Sequence, residues 1–153
     1  MTGCQAYGPS MALPAALRES SGVAWSRSRP EVLLSHNDSG HKPVIYALDR
    51  QGKPVGEIPL GHARNQDWED IATGNCEGGS CIYVADTGDN DEVRDRVVLY
   101  RLLDTGVYDG SRRAPEVFPI LLPDGPRDIE AVFVLPGEEV FFVTKGRSHP
   151  VTV

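Results

Sequence analysis

The chain has 153 residues, with 22 acidic against 15 basic side chains and a formal charge of −7 at neutral pH. That balance argues against nucleic-acid or anionic-membrane binding, which wants a clustered basic face. No apolar run approaches the ~20 residues of a membrane-crossing helix, and 16 glycines with 12 prolines suit a turn-rich chain.

Residues 1–12 carry no strand pattern. Met1-Thr2-Gly3-Cys4 matches the end of a bacterial lipobox, and Gln5 to Ser10 reads as a flexible tether. Lipidation of Cys4 is the expectation, with an incidental cysteine as the open alternative. It would be the chain's one route to a membrane.

Short runs of β-branched and aromatic residues follow, bounded by Gly, Pro, Asn and Asp. They predict strands over Gly22–Ser26, Glu31–Ser35, Pro43–Asp49 and Val55–Leu60. A second set covers Asp70–Thr73, Ile82–Ala85, Val97–Leu102 and Glu116–Leu121, and a third covers Glu130–Leu135 and Val140–Thr144. Apolar spacing of three and four is nowhere sustained, so no long helix is predicted.

These sets repeat. Gly22 and Asp70 lie 48 residues apart, as do Asp38 and Asp86. Ile71 and Val132 are 61 apart, and Val84 and Val143 are 59 apart. The insertions fall in turns and leave the apolar runs aligned. Four strands per unit at a period of about fifty describe a β-propeller blade. The expected fold is an all-β partial propeller of about two and a half four-stranded blades, with a β-sandwich as the alternative. Residues 13–62 form the first blade, 63–124 the second and 125–153 an incomplete third. The sequence stops at Val151-Thr152-Val153, where a third strand would begin, so the chain is expected to be a fragment that pairs with missing blades of the same protein.

The motifs His36-Asn37-Asp38-Ser39-Gly40, Asp67-Trp68-Glu69-Asp70-Ile71-Ala72 and Tyr83-Val84-Ala85-Asp86-Thr87-Gly88-Asp89-Asn90 resemble those of a family of bacterial extracytoplasmic β-propellers. That family is grouped loosely with six-bladed phytase-like and gluconolactonase-like propellers. The resemblance runs from about Leu13 to the end and implies a six-bladed ring and an extracytoplasmic, secreted or surface-anchored protein. The Asp-rich motifs that carry calcium and phosphate in β-propeller phytases are not recognisable, and fold alone does not license function.

Cys76 and Cys81 bracket Glu77-Gly78-Gly79-Ser80 in a predicted hairpin turn, within disulfide reach. Free thiols and a metal site are the other readings. The metal site lacks ligand spacing among His36, His41, His62 and His149. The expected disulfide implies an oxidising compartment.

In a propeller the first strand of each blade lines the central channel. A glutamate near each first strand, Glu19, Glu69 and Glu130, is therefore expected at the axis. Asp38 and Asp86 recur at the ends of the second strands, with Lys145 in the third unit. Oxygen ligands converging from several segments suit a hard cation, so Ca²⁺ is the expected cofactor at Glu19, Glu69, Glu130, Asp38 and Asp86. Turn capping is the competing role for Asp38 and Asp86. The acidic run from Asp86 to Asp95 fails the EF-hand spacing and reads as a solvated loop. Trp68 either stacks on a ligand or packs between blades.

No Gly-x-Ser-x-Gly elbow or phosphate-cradling glycine loop is present. Two function classes follow. The first is an extracytoplasmic binding or scaffold propeller for a small-molecule or protein ligand. The second is a metal-dependent hydrolase of the phytase, lactonase or esterase kind, with its catalytic residues unassigned.

Overall fold

The computed structural model describes Ser10 and residues 12–153. The predicted lipidation at Cys4 lies outside the described residues.

Ten strands run in chain order: β1 (Ser20–Trp25), β2 (Leu33–Asn37), β3 (Val44–Leu48), β4 (Pro54–Pro59), β5 (Trp68–Cys76), β6 (Gly79–Asp86), β7 (Val97–Leu103), β8 (Glu116–Ile120), β9 (Ile129–Leu135) and β10 (Glu139–Thr144). Each predicted strand overlaps one of these. β5 and β6 are longer than expected because their hairpin pairs all the way to Cys76 and Gly79. The strands form two four-stranded antiparallel sheets, β1-β2-β3-β4 and β5-β6-β7-β8, and a two-stranded sheet of β9 and β10. The described residues show these sheets and not a closed ring.

The middle sheet is covered on both faces, which explains its apolar composition. In β6, Ile82 and Val84 enter one core, whereas the intervening Cys81, Tyr83 and Ala85 enter the other. Successive side chains of a strand point to opposite faces, so one continuous apolar run serves two cores. The first core joins Leu34, Ile45 and Ile58 of the first sheet to Trp68, Ile71, Ile82, Val84 and Tyr100 of the second. Each fully buried Leu, Ile or Val contributes about 1.5–3 kcal/mol. The second core joins the middle sheet to Val132 of β9. Trp68 is fully buried, with its indole nitrogen donating to the Arg64 carbonyl at 2.8 Å and its ring between His36 and Tyr100. It packs between sheets and does not face a ligand.

The long connection between β7 and β8 covers the outer edge of β4. Glu57 N donates to Tyr108 O at 3.1 Å, Gly110 N to Glu57 O at 3.0 Å, and Gly61 N to Arg113 O at 2.7 Å. An exposed edge is a template for unwanted pairing, and this loop removes it. Gly56 makes the approach possible, because a Cβ there would lie 1.8 Å from the Tyr108 carbonyl oxygen.

The three units start alike. Asp38 N donates to Glu19 O at 2.8 Å, Thr87 N to Asp67 O at 3.1 Å and Lys145 N to Asp128 O at 2.8 Å. These bonds equate Glu19 with Asp67 and Asp128, and Asp38 with Thr87 and Lys145. The sequence alignment of Glu19 with Glu69 is therefore two residues out of register, and that of Asp38 with Asp86 is one residue out. The backbone counterpart of Asp86 is Asn37: Asp86 faces Trp68 as Asn37 faces Ser20. The one-residue slip at Asp38 arises because the hairpin from Thr73 to its partner Ile82 spans one residue more than the connection from Trp25 to its partner Leu33.

Candidate functional site

Each first strand carries a bulge near its start. β5 pairs Trp68 with Asp86 and then Asp70 with Ala85, which leaves Glu69 outside the ladder. β9 pairs Ile129 with Thr144 and Ala131 with Val143, which leaves Glu130 outside in the same way. A bulge bends the strand and re-aims the extra residue. Asp67 and Asp128 precede the two bulged glutamates by two residues. In the first unit the bulge falls between Ser20 and Val23, and Ser21 donates its hydroxyl to the Glu69 carbonyl at 2.7 Å.

The result is a cluster of five carboxylates. Asp38, Asp67 and Glu69 form one triad, and Glu69, Asp128 and Glu130 form another; within each, the potential ligand atoms all lie within 4.8 Å of one another. Glu69 belongs to both. Gly88 lies beneath the junction, where a Cβ would meet Glu69 Oε1 at 2.3 Å and Asp67 Oδ2 at 2.4 Å. Any side chain at residue 88 would fill the place where the two carboxylates converge.

Of the five residues expected to hold a metal, the structure brings together Glu69, Glu130 and Asp38. Glu19 stands apart, with its mostly exposed carboxylate 3.5 Å from His41 Nδ1. Asp86 is buried and accepts from Asp67 N at 3.0 Å, Gln66 N at 3.3 Å and Arg94 Nη1 at 3.2 Å. It caps the strand start, as Asn37 does by accepting from Glu19 N at 3.0 Å. Asp67 and Asp128 join the cluster without having been singled out. The signal for them was the repeated Asp-x-Glu of Asp67-Trp68-Glu69 and Asp128-Ile129-Glu130.

Crowding sets the electrostatics. Two like charges 4 Å apart repel by about 4 kcal/mol at an intermediate dielectric. Partial burial, then Glu130, Asp67, Asp38 and Asp128, push the Glu69 carboxyl up to about 8. Asp67 is raised by burial and by its acidic neighbours, against the pull of Arg94. One basic group answers directly: Lys145 Nζ lies 2.6 Å from Glu130 Oε1 and 3.6 Å from Asp128 Oδ2. Its hydrogen bond to Glu130 raises the Lys145 ammonium above the usual lysine range. Arg94 is committed elsewhere, to Asp86 and the Gly88 carbonyl.

Asp128 is held from one side only. Its Oδ1 accepts from Asp89 N at 2.9 Å, while Oδ2, fully buried, makes no hydrogen bond. The grouped donors are all carboxylates. Such a set suits hard cations bound through oxygen.

No protein-family model, curated protein or solved structure matches this chain.

The turn between β5 and β6 holds the Cys76–Cys81 disulfide, with Cα atoms 5.8 Å apart. It sits at the far end of the β5–β6 hairpin from the carboxylates.

Proposed function

We propose that the chain is part of an extracytoplasmic β-propeller-type binding or scaffold protein, whose working end is the acidic face at the starts of β5 and β9. The observation that supports it best is the threefold recurrence of one strand start. Equivalent backbone bonds join Glu19 to Asp38, Asp67 to Thr87 and Asp128 to Lys145, and β1, β5 and β9 pack side by side in that order. Neighbouring first strands around a channel are the arrangement of propeller blades. The disulfide supports an oxidising compartment. Anchoring through a lipid on Cys4 belongs to the same reading.

The second reading is a metal-dependent hydrolase, favoured by the convergence of carboxylates on Glu69. Turnover assays separate the two. The protein and its Glu69→Gln variant are incubated with p-nitrophenyl phosphate, p-nitrophenyl acetate and a γ-lactone, with Ca²⁺ and with chelator. A binding or scaffold protein gives no hydrolysis above the variant's. Hydrolysis that needs both Ca²⁺ and Glu69 overturns the binding reading in favour of the hydrolase.

A further inference from the structure

We propose that Glu69, Asp128 and Glu130 form a Ca²⁺ site that Lys145 occupies in the metal-free protein as a tethered counter-cation, with Asp38 and Asp67 completing the oxygen shell across Glu69. The inference goes beyond the binding-scaffold reading and stands apart from it, since all six residues lie within this chain.

Three observations converge. The first is geometric: two carboxylate triads share Glu69, so an ion held by Glu69, Asp128 and Glu130 has Asp38 and Asp67 on the far side of Glu69. The second is Asp128 Oδ2. A buried carboxylate oxygen without a donor is costly, and this one lies on Asp128, a member of the triad, on the side from which Lys145 approaches. The ammonium reaches Glu130 at 2.6 Å but stops 3.6 Å short of Oδ2. Lys145 is half exposed and tethered to the end of β10, so its charge stays at the rim. A free ion has no tether and can settle between Oδ2, Glu130 and Glu69. The third is Gly88, whose missing side chain leaves Glu69 and Asp67 room to approach each other.

The donor set selects the ion. Neither triad includes a histidine or cysteine, which sets zinc aside. Ca²⁺ takes six to eight oxygens at irregular positions, whereas Mg²⁺ demands near-octahedral order and keeps its waters. Five carboxylates drawn from separate segments fit the larger ion. Charge also favours exchange. One ammonium leaves most of the cluster's negative charge uncompensated, and a divalent ion compensates more of it.

Tb³⁺ luminescence tests the proposal on the full chain. Tb³⁺ replaces Ca²⁺ at oxygen sites, and Trp68, next to Glu69 in sequence, serves as the sensitiser on excitation near 280 nm. The expected result is a Tb³⁺ signal that Ca²⁺ competes away. Asp128→Asn and Glu69→Gln should each weaken Ca²⁺ competition roughly tenfold or more, because affinity follows the number of charged ligands. Lys145→Met should strengthen it by a similar factor. That gain cannot come from damage to the fold, and it keeps the test valid should Asp128→Asn unfold the protein. Absence of a Ca²⁺-displaceable signal overturns the proposal. So does a Ca²⁺ affinity left unchanged by Glu69→Gln, or one that Lys145→Met leaves unchanged or lowers. Absence of Ca²⁺ binding would also remove the metal-dependent hydrolase, whereas the binding-scaffold reading survives or fails on its own turnover assay.

Discussion

Thr73 on β5 donates its hydroxyl to the carbonyl of Trp25 on β1 at 2.9 Å, and the two residues are 48 positions apart. The same separation joins Ser21 to Glu69 and Arg27 to Asn75 through hydrogen bonds. The sequence period is thus also a contact vector: equivalent residues of consecutive units are spatial neighbours. Structural repeats stacked side by side, each touching the next, produce that relationship.

Gly22 tests how closely β1 and β5 must approach. A Cβ at this position would lie 2.7 Å from Asp70 Oδ1, 2.7 Å from Ile71 N and 2.8 Å from Asp70 Cα. Two of these are backbone atoms of a bulged strand and cannot turn aside. Gly22→Ala is expected to cost about 2–3 kcal/mol, at the upper end of overpacking effects. Urea denaturation measures it. A change below about 0.5 kcal/mol, the range of ordinary surface substitutions, would mean that the two strands separate easily.

Glu69 makes metal-free stability depend on pH in an unusual direction. Its carboxyl holds its proton up to about 8 in the folded chain, against an ordinary value of 4.5. Between those values the folded state binds more protons than the unfolded one, so stability falls as pH rises. The contribution is complete at acid pH and is lost as pH rises through the folded value. In chelator, Glu69→Gln should therefore melt close to the parent near pH 5 and above it at pH 8.5. Equal melting temperatures at pH 8.5 would show that the cluster relaxes its repulsion by another route.

Strand positions were legible because β-branched and aromatic runs bounded by Gly, Pro, Asn and Asp are local signals, and Ile82 to Ala85 between two turn clusters admits little else. Register was legible only in part. The 48-residue spacing of Gly22 and Asp70 equates Glu19 with Asp67, as the backbone does, but matching Glu19 to Glu69 pairs like letters and overrides it. That slip placed Glu19 at the site, where it is absent, and passed over Asp128, which is fully buried within it. The Cys76–Cys81 bond was legible because four residues between two cysteines in a hairpin keep them within reach, and the structure places them diagonally across its two-residue turn. Which carboxylates converge needed distances, because they come from three separate parts of the chain.

The disulfide closes a short loop, with the cysteines five positions apart. Loop-closure entropy for so small a ring predicts a stabilisation of about 2 kcal/mol. Cys76→Ser/Cys81→Ser together should lower stability by roughly that amount while leaving the strand content unchanged by circular dichroism. Thiol titration of the denatured, unreduced protein should find neither cysteine reactive. Two reactive thiols beyond Cys4 would remove the bond, and with it the support for an oxidising compartment.

Tyr108 ties the β7–β8 loop to the β1–β2 turn. Its hydroxyl donates at 2.7 Å to Ser26 Oγ or at 2.9 Å to Asp104 Oδ1. Asp104 in turn accepts from Ser26 Oγ at 2.7 Å, Arg27 N at 3.0 Å and Ser28 N at 3.2 Å. Burial, with Asp104 adding to it, pushes the phenol from 10.0 up to about 12. A raised folded value means that the fold retains the proton longer than the unfolded chain does. The stabilisation is therefore whole below about pH 10 and is lost as pH rises through the folded value. Tyr108→Phe removes both the hydrogen bond and the titration. At pH 8 it should destabilise by about 1–2 kcal/mol, because Asp104 and Ser26 lose a buried partner. As pH approaches the folded value of about 12, the parent should lose its advantage over the variant, since only the parent has a phenol to ionise. Urea melts at pH 8, 10 and 11 measure the gap. A gap that stays constant across that range would place the ionisation of Tyr108 outside the folding equilibrium and leave the hydrogen bond as its only contribution.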